Sequence, residues 1–282
     1  MKSITDIKQL KNIATQVRRD IIRMISAAQS GHPGGSLGCA DFMTVLYFNA
    51  LNASPQTFTI DGKGQDMFFL SNGHIAPVWY SVLAHAGYFD VKELGTLRKL
   101  HSKLQGHPTS YTKGVRIASG SLGQGLSVAC GAALAKKMNG DPNFVFTLHG
   151  DGELQEGQIW EAAMFAAAKK IDNLIATVDY NRQQIDGSID DVLSLGDLPA
   201  KFAAFGWEVI QLDGNDIQAL IDGFAKAKSL TGKGKPIAII MKTEMGKGVD
   251  FMEGTHKWHG KAPNEEQTQQ ALAQLPETIG DY

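Results

Sequence analysis

The sequence predicts an α/β protein with a mostly parallel central sheet and helices on both faces. From residue 117 onward, apolar runs of strand length alternate with segments of helical periodicity, which is the pattern of βαβ units. Hydrophobic residues make up 43% of the chain and charged residues 20%, an ordinary globular composition. Such a sheet is buried on both faces. The sequence shows no internal repeat, low-complexity tract or convincing linker. We therefore expect one α/β domain over residues 1–263 and a mobile tail over residues 264–282.

Two helices and one strand are expected before residue 117. Ser3 and Asp6 form a capping-box-like start, with Asp in place of the usual Glu. The first helix continues through apolar residues at helical spacing, namely Ile13, Val17, Ile21, Met24 and Ile25. Pro33 and the glycines beside it end this helix, and a second helix follows over residues 41–51. Residues 67–70 form a short apolar strand that enters a polar turn.

Four strands and three helices are expected after residue 117. The strands are expected at residues 144–149, 174–178, 207–212 and 237–241. The helices are expected at residues 126–138, at residues 159–170, and around Ile217, Leu220, Ile221 and Phe224. The uncharged run of residues 117–135 is long enough to span a bilayer, but its glycine, serine and glutamine content favours a buried loop that enters a helix.

Charge and cysteine content argue against several classes of protein. Lys and Arg total 27 and Asp and Glu total 29, and the net charge of -2 gives no electrostatic reason to expect a nucleic acid or an anionic membrane as a partner. Cys39 and Cys130 are far apart and form no CxxC motif, which favours a reducing compartment and a cytoplasmic protein. The N-terminal segment lacks the apolar stretch of a signal peptide.

A Gly150-Asp151-Gly152 turn follows one expected strand and opens a helix. Glycines there let the backbone approach a diphosphate, and the helix N-terminus favours negative charge. Asp151 offers a hard oxygen to Mg²⁺, and Asn181, at the end of the next strand, offers a second one. The chain carries no Walker A motif, and its glycine clusters do not match GxGxxG before an acidic residue, so the NTPase and dinucleotide-binding classes are disfavoured.

Histidines beside glycines recur in four separate loops. They are His32, His74, His107 and the pair His256 and His259. A single loop histidine is more often a structural hydrogen-bonding group than a functional one. Four such loops favour function, because imidazoles of near-neutral pKa can bind sugar hydroxyls and move protons.

These motifs together resemble the N-terminal, diphosphate-binding half of a transketolase. The matching stretches are SGHPGGSLG, LSNGH, LHSKLQGHP, GSLGQGL, GDGELQEG, residues 181–187 and GTHKWHG. The thiamine diphosphate signature usually ends in Asn-Asn, and here Arg182 takes the second position. Thr109 stands where transketolases commonly have Glu. The resemblance implies a three-layer thiamine diphosphate-binding fold.

The resemblance also implies roles for individual residues. Magnesium, or calcium or manganese in its place, would be held by Asp151, Asn181 and the carbonyl of Gln183. Thiamine diphosphate would be contacted by His74, Gly120, Leu122, Gly150, Gly152, Glu153, Asn181 and His256. Catalysis and sugar binding would fall to His32, His74, His107 and His256. Glu156 and Glu161 resemble the acidic residues that link paired active sites across the dimer.

The chain is roughly half as long as a transketolase, so it resembles the separately encoded N-terminal subunit of a split enzyme. The resemblance implies a C-terminal partner subunit that carries the pyrimidine-binding domain and the activating glutamate, in an α2β2 assembly. It implies transfer of a two-carbon ketol unit between sugar phosphates, as in the pentose phosphate pathway. Two alternatives stay open: a subunit of another thiamine diphosphate enzyme, similar to deoxyxylulose-phosphate synthase or to a 2-oxo acid dehydrogenase α chain, and a non-catalytic paralogue.

Overall fold

A five-stranded sheet, in which every neighbouring pair of strands is parallel, forms the centre of the molecule. The computed structural model describes residues 3–282, so Met1 and Lys2 of the expected domain lie outside the described residues. The strands are β1 (Met67–Leu70), β2 (Val145–Gly150), β3 (Leu174–Tyr180), the short pair β4 (Gln183–Gln184) and β5 (Gly187–Ser188), β6 (Glu208–Asp213) and β7 (Ile237–Lys242). The order across the main sheet is β1–β2–β3–β7–β6, and β4 pairs with β5 in a separate hairpin. The expected α/β class is confirmed.

Ten α-helices surround this sheet in the part of the chain that the structure describes. They are α1 (Ile7–Ala28), α2 (Pro33–Gly38), α3 (Ala40–Val45), α4 (Ala76–His85), α5 (Gln124–Met138), α6 (Gly157–Ala168), α7 (Ile189–Leu193), α8 (Leu198–Ala204), α9 (Ile217–Leu230) and α10 (Glu265–Gln274). A π-helical turn spans Leu46–Ala50, and 3₁₀ turns span Gly73–Ile75, Val91–Thr96, Gly152–Gln155 and His256–Trp258.

The helices form two hydrophobic cores, one on each face of the sheet. On one face, α1, α3, α4 and α9 pack around strand residues that include Phe146 and Ile175. On the other face, α5, α6 and α8 pack around Val145 and Leu174. Consecutive strand residues alternate between the two cores, as the pleat requires. This three-layer arrangement buries both faces of the sheet and leaves the loops at the strand ends to build a site.

The expected start of the first helix is corrected. The first helix begins at Ile7 with Asp6 as its N-cap, and Ser3 does not cap it. The Asp6 carboxylate accepts from the backbone N–H of Lys8 at 2.8 Å, whereas the Ser3 hydroxyl donates to the carbonyl of Asn49. A carboxylate at the N-cap position can accept from the backbone N–H of the second helical residue. The N-cap of the first helix is therefore Asp6, three residues later than the expected Ser3.

The glycine-rich segment after Pro33 is helical and was expected to be a loop. Proline suits the first position of a helix because its missing N–H would be unpaired there, and α2 begins with Pro33. A Cβ on Gly34 would lie 2.7 Å from Met245 Cγ, and one on Gly38 would lie 2.9 Å from the carbonyl oxygen of Glu244. The glycines therefore let α2 pack closely against the loop that follows β7. The helix expected over residues 41–51 is divided into α3 and the π-helical turn.

Residues 264–282, expected to be a mobile tail, carry a capped helix that docks on α1. Asn264 and Gln267 form a full capping box at the start of α10. The Asp281 carboxylate lies 2.7 Å from Arg19 Nε, and Arg23 Nη2 donates to the carbonyl of Tyr282 at 2.6 Å. The segment is therefore tied to α1 and is not a detached tail.

The uncharged run of residues 117–135 is a loop that continues into α5, as expected. No helix within residues 3–282 is both long enough and apolar enough to cross a membrane. Cys39 and Cys130 are both buried with free thiols.

Gly246→Ala is expected to lower the free energy of unfolding, whereas Gly131→Ala should raise it. Gly246 has φ +78°, and an added Cβ would collide with the carbonyl oxygen of Met252. Overpacking costs about 1–3 kcal/mol, and a left-handed backbone adds about 1–2 kcal/mol for a residue with a Cβ. Gly131 lies in α5 with nothing within 4 Å of an added Cβ, so alanine should stabilise that helix by about 0.5–1 kcal/mol. Urea unfolding of the two variants measures both changes, and equal stability would contradict the packing argument.

Candidate active site

A cavity of about 290 Å³ opens at the carboxyl ends of β1, β2 and β3. Parallel α/β sheets bind ligands at this edge, so its position agrees with the expectation from the sequence. The residues expected at the site that line it are His32, His74, His107, Gly120, Leu122, Gly150, Asp151, Gly152, Glu153, Asn181 and Gln183. His256 is the one expected site residue that does not line it.

Strand register brings Asp151 and Asn181 to the same side of the cavity. β2 and β3 pair in parallel with Gly150 opposite Asp179, and the backbone N–H of Asp151 donates to the carbonyl of Asp179 at 3.2 Å. Asp151 directly follows Gly150, and Asn181 lies two residues after Asp179. Asp151 and Asn181 are thirty residues apart in the sequence, but the pairing of β2 with β3 brings them close together at the edge of the sheet.

The Asp151 carboxylate is buried without a cationic side chain to balance it. It accepts from the backbone N–H groups of Gly152, at 2.8 Å, and Arg182. No Lys, Arg or His side chain among the described residues forms an ion pair with it; the Arg182 guanidinium pairs with Asp190 at the surface. Burial raises the pKa of Asp151 well above its usual value, and the neighbouring Asp179 carboxylate raises it further. An uncompensated buried carboxylate of this kind fits a site for a divalent cation.

The Asn181 side chain is oriented by two hydrogen bonds. Its Nδ2 donates to Asp179 Oδ2 at 2.9 Å, and its Oδ1 accepts from the backbone N–H of Gln183 at 2.9 Å. An amide oxygen has a second lone pair, so Oδ1 keeps an acceptor position. In the described part of the chain, no group of three or more His, Cys, Asp or Glu side chains is arranged to hold a metal. The available donors are instead one carboxylate, one amide and backbone oxygen, a set that suits Mg²⁺ completed by phosphate oxygens.

Four histidine rings meet on the other side of the cavity. The centroid of His32 lies 5.1 Å from that of His74, 6.5 Å from that of His107 and 5.7 Å from that of His259. The rings of His74 and His259 are 5.1 Å apart. The cluster therefore contains His259. His256 does not line the cavity, and its expected role in cofactor binding and catalysis stays a prediction.

A short 3₁₀ turn separates the two histidines of the GTHKWHG motif. The 3₁₀ turn His256–Trp258 is capped by Thr255 and buries the Trp258 side chain. His256 begins this turn, and His259 follows it as the chain enters the cavity wall. The sequence contained both histidines in one motif, but their spacing alone did not distinguish them.

All four rings of the cluster are held in the neutral form near pH 7. Burial lowers the pKa of His32 to about 4, with further lowering from His259 and Arg98. Burial is also the main cause that lowers the pKa of His74, His107 and His259. The Nδ1 atoms of His32 and His259 are buried with no hydrogen-bond partner in residues 3–282. Neutral imidazoles with unused nitrogen atoms can accept protons from, or donate hydrogen bonds to, the hydroxyl groups of a bound molecule.

Stability should fall as the pH is lowered from about 6.5 to about 4, in part because of His32. The unfolded imidazole has a pKa of about 6.5, and the folded one has a pKa of about 4. The unfolded chain therefore binds more protons in this interval, and acid favours unfolding. Urea midpoints at pH 7 and pH 5 measure the effect, and His32→Gln should reduce the difference. If the urea midpoint of His32→Gln changed with pH as much as that of the wild type, His32 would not be a cause of the pH dependence of stability.

Gly120 and Leu122, in the loop before α5, also line the cavity. Gly120 has φ +135°, and an added Cβ would lie 2.7 Å from His107 Cδ2. The carbonyl of Leu122 accepts from Gln158 Nε2 of α6 at 2.9 Å. Gly120 lets the backbone of the loop pass close to the His107 ring. The hydrogen bond from Gln158 holds the loop to α6 at Leu122.

Glu153 lines the cavity, but its carboxylate is bonded by protein groups. Burial alone would raise the pKa of Glu153, yet the contact with His149 and hydrogen bonds from Ser71 and Gly123 outweigh it, and the net direction is down. Glu156 and Glu161, the two expected linking acids, do not line the cavity. Their role across a dimer stays a prediction.

Asn72 is a cavity residue to which the sequence assigned no role. It follows β1 in the Ser-Asn-Gly-His turn, is 1% exposed, and has an Oδ1 with no hydrogen-bond partner among the described residues. Buried polar atoms are seldom left unpaired, so this atom fits a bound ligand. The polar turn at the end of a strand was the only signal in the sequence, and it did not separate Asn72 from its neighbours.

Comparison with known proteins gives one family. The profile described as "Transketolase, thiamine diphosphate binding domain" matches residues 9–277. A protein of Phocaeicola vulgatus, named as one subunit of an apulose-4-phosphate transketolase, is 37% identical over 262 residues, which are 93% of this chain and 92% of that protein. The 6-deoxy-6-sulfo-D-fructose transketolase subunit SqwG of Clostridium sp. is 39% identical over 267 residues, with 94% and 96% covered.

Solved structures give the same fold. The crystal structure of transketolase from Campylobacter jejuni superimposes with a TM-score of 0.88 at 35% identity, over 96% of this chain and 43% of that one. This chain therefore spans less than half the length of that transketolase, and almost the full length of the two subunits named above.

Proposed function

Because this chain belongs to the family of transketolase thiamine diphosphate-binding domains, we propose that it is the N-terminal subunit of a split transketolase. One observation carries the proposal: a single cavity joins a buried Gly-Asp-Gly carboxylate and a strand-end asparagine to four neutral histidines. The carboxylate and the asparagine suit a metal and a diphosphate, and the four histidines suit a substrate with several hydroxyl groups.

Asp151, Asn181 and the carbonyl of Gln183 would hold Mg²⁺, with Ca²⁺ or Mn²⁺ as substitutes. The buried carboxylate without a cationic partner supports this assignment. Gly150 and Gly152 would lie along the diphosphate, since glycine lets phosphate oxygens approach backbone N–H groups. Gly120 and Leu122 would contact the aminopyrimidine. Thiamine diphosphate, when bound, supplies the electron sink for cleavage of a carbon–carbon bond.

The histidine cluster would orient the sugar and move its protons. His32 and His259 line the cavity, and the Nδ1 atom of each has no hydrogen-bond partner among the described residues. A neutral imidazole can accept from or donate to a substrate hydroxyl. His74 and His107 complete a wall of neutral rings around the same space. A base that is neutral at pH 7 can accept a proton without first losing one.

A second polypeptide would complete the enzyme. The relatives that are named as transketolase subunits are covered almost to their full length, which supports a partner that carries the pyrimidine-binding half and the activating glutamate. Paired active sites in an α2β2 assembly would agree with the prevalence of closed two-fold oligomers. The names of relatives refer to apulose 4-phosphate and to 6-deoxy-6-sulfo-D-fructose. We therefore propose an anionic ketose as donor and leave its identity to the assay.

The test is a ketol-transfer assay with this chain alone, the candidate partner alone, and the mixture. Thiamine diphosphate and Mg²⁺ are saturating, and the donors are xylulose 5-phosphate, apulose 4-phosphate, 6-deoxy-6-sulfo-D-fructose and a panel of 2-oxo acids. We expect turnover of a ketose only in the mixture, because the partner would supply the pyrimidine-binding half of the site and the activating glutamate. Robust turnover by this chain alone would overturn the split-enzyme proposal. Turnover of 2-oxo acids only would favour a dehydrogenase-type enzyme, and cofactor binding without turnover would favour a non-catalytic paralogue.

A further inference from the structure

Glu153 joins three segments beneath the cavity. Only 2% of the residue is exposed. Its Oε1 accepts from the Ser71 hydroxyl and from the backbone N–H of Gly123, the latter at 2.8 Å. Its Oε2 accepts from the backbone N–H of Gly150 at 3.1 Å. The donors come from the turn after β1, the loop before α5 and the end of β2, so one carboxylate connects three separate parts of the cavity wall.

Ser71 extends this connection to the first turn of α5. Its hydroxyl oxygen accepts from the backbone N–H of Gly125 at 3.1 Å while it donates to Glu153. A Cβ on Gly125 would collide with the Ser71 side chain. The close approach therefore needs glycine at residue 125, and the start of α5 is held to the turn after β1.

His149 lies beside the Glu153 carboxylate. Its Nδ1 lies 3.6 Å from Glu153 Oε2, and its side chain is 3% exposed. Its Nε2 lies 2.8 Å from Thr147 Oγ1. At 3.6 Å the imidazole makes a polar contact and not a full hydrogen bond, so it orients Oε2 without competing with Gly150.

We propose that Glu153 is a positioning residue that fixes the loop of Gly123 against the turn of Gly150. The proposal rests on the function proposed above: those segments would contact the ring end and the diphosphate end of the cofactor, and Glu153 sets the separation between them. Both carboxylate oxygens already have protein donors. A carboxylate aimed at a diphosphate would also meet like charge. The Glu153 side chain therefore acts on the cofactor through the two segments.

Glu153→Gln tests the proposal in the full chain. The amide NH₂ group replaces one carboxylate oxygen and cannot accept a hydrogen bond from a backbone N–H, and the negative charge is lost. We expect amide hydrogen exchange at Gly123 and Gly150 to accelerate about tenfold, as for loss of one charge-assisted hydrogen bond, while β7 and α9 keep wild-type rates. With the partner subunit present, the Kd for thiamine diphosphate should rise by a similar factor, and kcat at saturating cofactor should change little. Glu265→Gln, on the exposed face of α10, is the matched control.

Ser71→Ala keeps the test decisive if Glu153→Gln does not fold, because it removes one donor and leaves the carboxylate. It should accelerate exchange at Gly125 and Gly123 to a smaller extent. Unchanged exchange at these loops together with weaker cofactor binding would overturn the proposal in favour of direct contact. Acceleration across the whole chain would overturn it in favour of a purely structural role. The exchange measurement needs no cofactor, so a wild-type chain that failed to bind thiamine diphosphate would refute the proposed function and not this inference.

Discussion

Asp151→Ala is expected to abolish Mg²⁺-dependent binding of thiamine diphosphate to the complex of this chain with its partner subunit. The substitution removes the one carboxylate of the proposed metal site, and Mg²⁺ binds poorly to sites without such a ligand. Two orienting backbone donors, from Gly152 and Arg182, would lose their acceptor at the same time. Titration calorimetry with thiamine diphosphate, with and without Mg²⁺, measures the loss.

Asp222→Ala is the control for this substitution, because Asp222 lies on α9, away from the cavity. It should bind the cofactor with wild-type affinity. Near-wild-type affinity in Asp151→Ala itself would refute the metal assignment.

His259→Ala should lower kcat/KM for ketol transfer by about 10²–10⁴-fold, the usual cost of losing a positioned acid or base. His259 lies beside His32 and His74 at ring distances of 5.7 and 5.1 Å. His32→Ala and His107→Ala should cause losses in the same range. Steady-state kinetics of the assembled enzyme, with the circular dichroism spectrum as a check on folding, measures these effects.

His256→Ala is the decisive comparison for the histidine assignment. His256 lies outside the cavity lining, so its removal should cost much less activity than the removal of His259. A larger loss of activity in His256→Ala would support the assignment of His256 that was drawn from the sequence. Unfolded variants with unchanged activity in the folded fraction would instead indicate that the cluster is structural.

Most of the sheet was predictable because its strands are short apolar runs between clear punctuating residues. β2, β3 and β7 carry mostly apolar residues on both faces, which marks a strand buried on two sides. Polar residues at their carboxyl ends then indicated the edge where the site would form. The Asp151 and Asn181 pair followed from that rule and from the register of two adjacent strands.

The elements that escaped prediction depend on packing and not on local pattern. α4 is apolar almost all round and nearly every residue is buried, so it shows no amphipathic period. α2 contains three glycines and a proline, and its helical form follows from its close contact with the loop after β7. α10 did carry a signal, since Asn264 and Gln267 have capping-box spacing. His259 could not be distinguished from His256 in the sequence, because both lie in one motif and only the folded chain shows which of them lines the cavity.

The strand order has a consequence for how the chain is made. β7 is the last strand in sequence, yet it lies between β3 and β6. On the ribosome, where chains grow at about 5–20 residues per second, β3 and β6 emerge before the strand that must pair with both. During that interval β3 presents an unpaired apolar edge, which is a template for aggregation. Until residues 237–242 are made, we therefore expect the nascent chain to be more prone to aggregation than a chain whose sheet is built in sequential order.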